Sequence, residues 1–322
     1  MTMQTTTRAI AAPLRKPPKV AVPSAEQQRT FFSRADKTAV ILLLAPAALG
    51  FAVFYLAPSV RSIYYSLTDS NLLNPGGFIG MENYAAMFTD AKLGNSILVT
   101  LQYVVINIVV QTVLAMVIAV ALDRLTQSTW LRALLLIPWL IPGVTVGLLW
   151  QWMLDPSIGI VNEFLMSIGI PAQPFLDSAA QAMPTLALVN TWRYVGYVAL
   201  LFFAGLQLIP KSLYEASALD GAGEWRMFRS ITLPLLRPII GFVLITSVVG
   251  SLQVFDIIQV TTKGGPANAT EAFYPYIFQT AFENFDLGYA SAIAVSFMIV
   301  VGLLTYVGLR FGRANESEIE GL

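Results

Sequence analysis

Residues 95–122 read NSILVTLQYVVINIVVQTVLAMVIAVAL. This predominantly apolar run is long enough, as a helix, to cross a bilayer core about 30 Å thick, which takes about 20 residues. Five further runs of comparable length follow or precede it, at about 38–60, 131–153, 183–206, 238–260 and 287–309. One such run could be the core helix of a soluble domain. Six in succession, separated by polar segments, predict an all-α integral membrane protein with six transmembrane helices.

Composition agrees. Hydrophobic residues make up 56% of the 322 and charged residues 12%, against about 25% charged in soluble domains. The chain has no Cys and no His. Disulfides, thiolate metal sites and His-based catalysis are thereby excluded, and no metal site is expected. A net charge of zero gives no basic surface for nucleic acid. Membrane lipids are the expected surroundings.

The basic residues orient the bundle. Residues 1–37 hold Pro13, Pro17, Pro18 and Pro23 among basic and polar residues, with no apolar stretch resembling a signal peptide. They read as a disordered cytoplasmic tail. With that tail inside, Arg29, Arg34, Lys37, Arg124, Arg132, Lys211, Arg226, Arg229, Arg237, Arg310 and Arg313 fall near cytoplasmic span ends. Only Arg61, Lys92 and Lys263 fall outside, and Arg193 lies within a span. Eleven against three predicts that both termini are cytoplasmic. The domain reading is a tail over 1–37, a six-helix domain over 38–311 and a short cytoplasmic tail over 312–322.

The cytoplasmic loop over 207–237, QLIPKSLYEASALDGAGEWRMFRSITLPLLR, is too patterned for a simple connector. Pro210 ends the preceding helix. Ser212 with Glu215 three residues on suggests a capping box. Asp220-Gly221-Ala222-Gly223 breaks that helix, and a second can run from Glu224 through Trp225, Phe228 and Ile231 to Pro234. Two short helices at an angle, with an acidic and aromatic surface, are expected. An amphipathic element lying on the membrane is the plainer alternative.

This loop resembles the EAA motif of ABC importer permeases: E-A-A, three residues, G, nine residues, I-x-L-P. Here the residues are Glu215, Ala216 and Ser217, then Gly221, then Ile231, Leu233 and Pro234. Ser217 in place of the second Ala is the one departure. Gly80-Met81-Glu82-Asn83-Tyr84, Ala204 to Pro210, and Phe255-Asp256 with Thr262 to Pro266 are similar to segments of the maltose-type branch. The resemblance implies an ABC importer type I permease bundle in the cytoplasmic membrane of a prokaryote. It implies that Glu215 to Ser217, Asp220, Gly221, Ile231, Leu233 and Pro234 couple the bundle to an ATPase. It implies four kinds of partner: a second homologous permease forming a heterodimer, a dimer of ATP-binding subunits, an extracytoplasmic solute-binding protein, and a carbohydrate as solute. The branch also includes glycerol-phosphate carriers. No G-x-x-x-x-G-K-[ST] occurs, so no P-loop is expected here and no cofactor in this chain. ATP and Mg would belong to the partner ATPase.

Polar groups at bilayer depth mark candidate pathways. Asn190, Arg193, Tyr194 and Tyr197 share one face of the fourth span by helical spacing. Thr246, Gly250, Gln253 and Asp256 are similarly spaced in the fifth, with Asp256 close to the outer interface. Asn190, Trp192, Tyr194, Tyr197 and Gln253 are the residue types that bind sugars, through planar hydrogen-bonding groups and aromatic faces. A structural role fits Arg193 equally, and Asp256 can be an interfacial charge or a partner for Arg193. Trp130, Trp150 and Trp152 suit packing or the membrane interface. Pro138 and Pro142-Gly143 should kink the third span, either lining a cavity or packing. An ion-coupled carrier would need midplane acids, and Asp256 alone is available. An intramembrane enzyme lacks the residues for it.

Overall fold

A computed structural model describes residues 34–126 and 128–319. Among them helices are the regular structure, with two isolated β-bridges. Five helices are long and apolar enough to span a membrane, and one bent pair makes a sixth. The expected tail over 1–37 falls mostly outside the described residues. Its last part does not fit, because a helix already begins at Arg34.

The chain divides into two compact units at Ser59. In the first, α1 (Arg34–Phe51) runs into a π turn, Ala52–Leu56. The continuous candidate span is Thr38–Tyr65, ending in α2 (Ala57–Tyr65). The π turn ends two residues before Pro58, whose missing N–H and ring disturb the α-helical ladder behind it.

In the second unit, α3 (Glu82–Ala86) leads to α4 (Ala91–Leu125). Then come α5 (Thr129–Leu140), α6 (Gly143–Met153), α7 (Ile160–Ser167) and α8 (Ala182–Leu206). The loop helices are α9 (Lys211–Leu219), α10 (Glu224–Met227) and, after a π turn at Phe228–Thr232, α11 (Leu233–Leu235). Last are α12 (Arg237–Leu252), α13 (Asp256–Val260), α14 (Phe273–Phe282) and α15 (Leu287–Ile319). The segment 312–319, expected as a tail, continues α15.

The bundle is built on α4 against α8, with α5 also on α8, and α12 against α4 and α15. On α4, Ser96, Thr100, Tyr103, Asn107, Gln111, Ala115 and Ala119 are buried at helical spacing. Leu98, Leu101, Val105, Val109 and Val117 are exposed on other faces. That division suits a helix facing protein on one side and lipid on the other. Between helices in lipid the association comes from close packing of small residues and from polar contacts. Gly196 shows how close it becomes: a Cβ there would stand 1.8 Å from the Leu135 carbonyl oxygen. Helices α5 and α8 therefore meet backbone to backbone.

Two of the expected spans are not continuous. The third, read as one helix over 131–153, is α5 and α6 bent by 92°. Pro142 forces Ile141 out of the helical region (ψ 132°), and α6 starts afresh behind Pro142. The kink expected there is a full break. The fifth, read as one helix over 238–260, stops at Leu252 and restarts at Asp256. Asp256 is thus not on the continuous helical face expected for it.

The segments at the expected outer side are tied together by named residues. Asn83 donates to the carbonyls of Ser66 (3.0 Å) and Thr68 (2.8 Å). The Tyr84 hydroxyl pairs with Ser66 Oγ at 2.7 Å. Asp90 Oδ1 caps α4, while Oδ2 accepts from the hydroxyls of Tyr276 and Tyr289. Burial pushes the Asp90 carboxyl up, but the hydrogen bonds from Tyr276, Tyr289, Leu93 and Lys92 outweigh it and hold it below its ordinary range. The loop over 261–272 is fastened to α4 by Asn95 on the Asn268 carbonyl and by Thr100 on the Phe273 N–H.

Candidate functional site

A cavity of about 240 Å³ lies among α4, α6, α8, α12 and the start of α13. Both helix breaks border it. Non-helical backbone at membrane depth is tolerated where it is buried in protein or lines a cavity, so the breaks and the cavity explain one another. Of the residues the fourth and fifth spans offered, Asn190, Arg193, Tyr194, Tyr197, Gln253 and Asp256 all border this cavity. Trp192 does not. It sits edge-on to Trp150, ring centroids 5.4 Å apart.

Arg193 lies at the middle of α8 and is half-buried. Its Nε is shielded and has no hydrogen-bond partner. Asp256, just after the break in the fifth span, lies beside it. Both abut Gly143: a Cβ there would lie 2.8 Å from Asp256 Oδ2 and 3.0 Å from Arg193 Nη1. The two do not form an ion pair. The one ion pair among the described residues is Arg124 with Glu224. Tyr197 is held by Trp139, stacked at 4.7 Å with an interplanar angle of 11°.

Two further lining residues, Asn107 and Gln111 on α4, were not singled out from the sequence. Asn107 is the hub of the wall. It donates to Ser251 Oγ (2.9 Å) and accepts from Asn190 Nδ2 (3.0 Å) and Thr191 Oγ1 (3.3 Å). Gln111 donates to Ser247 at 3.3 Å. Their four-residue separation, in line with Tyr103, is the signal that could have found them.

The loop over 207–237 forms a second feature. Pro210, not Ser212, is the N-cap of α9, and no side chain caps it. The expected capping box is therefore absent, because α9 starts at Lys211 and places Ser212 inside its first turn. Glu215 is consequently free of a capping role, and its side chain is exposed. At the other end Gly221 takes φ +77°. Its N–H bonds the Ala218 carbonyl, and the Ala222 N–H bonds that of Ser217. This is a Schellman turn, which favours glycine for its left-handed backbone. Ser217 contributes its carbonyl there, so its side chain can vary.

The inner side of the loop is anchored. Tyr214, Phe228, Ile231 and Leu233 pack on the cluster around Leu206, Ile209 and Leu236. The Tyr214 hydroxyl meets Thr232 Oγ1 at 2.8 Å, and Glu224 pairs with Arg124 at the end of α4. Helix α10 passes through the π turn and continues beyond Pro234 to Leu235, one residue past the expected stop. The outer side is exposed: Glu215, Asp220, Leu219 (90% exposed) and Trp225 (73% exposed), whose ring stacks on Phe228. Apolar groups this exposed on an ordered, anchored turn suit a docking surface.

Comparison with known proteins identifies the family of the chain. Residues 111–318 match the family model of the binding-protein-dependent transport system inner membrane component. The sulfoquinovosyl glycerol transport system permease protein SmoG of Agrobacterium fabrum is 38% identical over 87% of this chain and 92% of its own. The sn-glycerol-3-phosphate transport system permease protein UgpA of the same organism is 34% identical over 86% and 95%. The trehalose/maltose transport system permease protein MalF of Thermococcus litoralis is 33% identical over 84% and 92%. In fold, a chain of a bacterial alginate ABC transporter superposes with a TM-score of 0.77, covering 87% of this chain and 96% of that one at 21% identity. A membrane-spanning bundle, the family match over most of its length and these near full-length relatives lead to one conclusion: the chain belongs to the inner membrane components of binding-protein-dependent transport systems, as a multi-pass permease subunit of an ABC importer in the cytoplasmic membrane.

Proposed function

We propose that the chain forms half of the translocation pathway for a carbohydrate delivered by an extracytoplasmic binding protein. A second, homologous permease supplies the other half. A separate pair of ATP-binding subunits supplies the energy and carries the ATP and Mg, docking on the exposed face of α9 and its Gly221 turn. The observation that carries this reading is the cavity at the two helix breaks, walled by amides, tyrosines, Arg193 and Asp256. Such groups exchange hydrogen bonds with hydroxyls that leave water. Relatives whose names specify sulfoquinovosyl glycerol, glycerol phosphate and trehalose/maltose support a polyol or sugar.

The test is uptake of radiolabelled sugars into proteoliposomes holding this chain with its partner subunits and binding protein. Uptake should require ATP inside the compartment that the ATPase faces. Asn190→Ala should lower uptake about tenfold, the worth of a lost buried hydrogen bond, while ATP hydrolysis persists. Sugar uptake that proceeds without ATP, driven by an ion gradient, would refute the reading.

A further inference from the structure

We propose that the loop over 261–272 is an acid-strengthened latch at the expected outer side, held closed more firmly when its buried Glu271 carries a proton than when that carboxyl is ionised.

The loop joins α13 to α14 and is fastened to α4 at two points. Asn95 Nδ2 donates to the Asn268 carbonyl at 3.2 Å, and the Phe273 N–H donates to Thr100 Oγ1 at 2.8 Å. Its interior is closely bonded. The Thr270 N–H donates to the Gly264 carbonyl at 3.1 Å, and the Glu271 N–H to that of Asn268 at 3.2 Å. The Thr270 hydroxyl stands 2.6 Å from the Gly265 carbonyl oxygen and 2.7 Å from the Thr262 hydroxyl. Two costs oppose this closed arrangement. The first lies in the backbone. Lys263, Ala267 and Asn268 take φ of 50°, 51° and 61°, a left-handed region that residues with a Cβ disfavour.

The second cost is Glu271, and it depends on a proton. Glu271 is 6% exposed, and its Oε2 is shielded with no hydrogen-bond partner. Gly264 lies against it, where a Cβ would stand 3.3 Å from Glu271 Cβ. The charged groups that act on it are Lys92 in the first turn of α4 and Asp90 at the cap of that helix. Lys92 does not pair with it, since Arg124 with Glu224 is the one ion pair among the described residues. Asp90 already accepts from the hydroxyls of Tyr276 and Tyr289. On α14, Tyr276 is the titratable group that feels Glu271, and Lys263 in the loop itself is exposed. A carboxylate buried without a partner is costly, and its protonated form is much less so. Burial therefore pushes the Glu271 carboxyl up. Lys92 draws it back only in part, and Asp90 adds to the rise.

Opening the loop returns Glu271 to water and to the ordinary glutamate range. The closed loop thus binds more protons than the open one, and closure weakens as pH rises. The window runs from the ordinary range up to the raised range of the closed loop. Within it the opening equilibrium grows by up to about tenfold per pH unit, and on either side it is level. Protons on the outer side therefore tighten the fastening of α13 and α14 to α4.

The test is backbone amide exchange, read by mass spectrometry on the complete transporter in lipid nanodiscs. Protection over residues 262–273 is expressed against the intrinsic exchange rate at each pH, with α8 as the internal reference. In the wild type it should be greatest near about pH 5 and fall by about tenfold or more by about pH 8. Glu271→Gln keeps the side chain neutral and should hold protection at its acid value throughout. Lys92→Met removes the cation that favours the charged form, so the fall should extend to higher pH. Protection that does not change with pH in the wild type would overturn the proposal. So would an equal fall in Glu271→Gln, or a fall shared by α8, which would mark a general loosening. If Glu271→Gln fails to assemble, the wild type and Lys92→Met decide: a fall at the same pH in both would overturn the role of Glu271.

Discussion

Replacing Gly221 by proline is expected to abolish ATP-coupled uptake while the chain still inserts and the transporter still assembles. Gly221 sits at φ +77° and donates its N–H to Ala218. Proline is locked near −65° and has no N–H, so the turn would be lost at a cost of about 3 kcal/mol or more. No atom beyond its chain neighbours lies within 4 Å of a Cβ at Gly221. The damage is therefore confined to the backbone turn that orients α9 toward α10. Gly221→Ala keeps the N–H and should be milder, about 1–2 kcal/mol for an alanine in left-handed backbone. Uptake should fall by about two orders of magnitude in the proline variant, matching its estimated cost. The measurement is uptake and ATP hydrolysis in the same proteoliposomes, with assembled complex quantified by size exclusion. Wild-type uptake by an assembled Gly221→Pro transporter would remove the coupling role from this loop.

The second large effect is expected at Gly196. A valine there would drive its Cβ into the Leu135 carbonyl, 1.8 Å away, and into the carbonyl carbon at 2.7 Å. These are backbone atoms of a packed helix and cannot rotate aside. Overpacking costs about 1–3 kcal/mol where side chains can adjust, and the upper end or beyond applies here. The yield of monodisperse protein in detergent should collapse. Gly302→Ala on α15, with nothing within 4 Å of its Cβ, is the control and should behave as wild type. If the Gly196 variant is equally well behaved, α5 and α8 do not meet backbone to backbone.

The fold was largely legible because span length and apolar run length are tied by one dimension, the bilayer. The breaks were less so. Pro138 and Pro142 marked the third span as bent, but proline alone does not say that the two halves diverge by 92°. The interruption between Leu252 and Asp256 holds no proline or glycine to announce it. It is a tertiary feature: α13 packs on α6, and Gly147 leaves room there, where a Cβ would stand 2.4 Å from Val260. Asp256 was consequently read on a continuous helical face that the chain does not form. The polar face of α8 was visible from its spacing, whereas Asn107 and Gln111 were hidden within the very run whose apolar character established the fold. In the loop, the glycine turn was read correctly because only backbone geometry decides it. The capping box failed because Pro210, with its fixed φ, took the first position of the helix boundary before Ser212 could.

The central claim is that the turn at Gly221 lies on the cytoplasmic side and docks on the ATP-binding subunit. The chain contains no cysteine, so Leu219→Cys places a single thiol on the exposed tip of α9. The account predicts that an impermeant maleimide leaves it unlabelled in intact cells and labels it in inside-out vesicles. It also predicts that a short bifunctional reagent joins it to the ATP-binding subunit in the assembled transporter. Labelling in intact cells, or a cross-link to the solute-binding protein instead, would contradict the account.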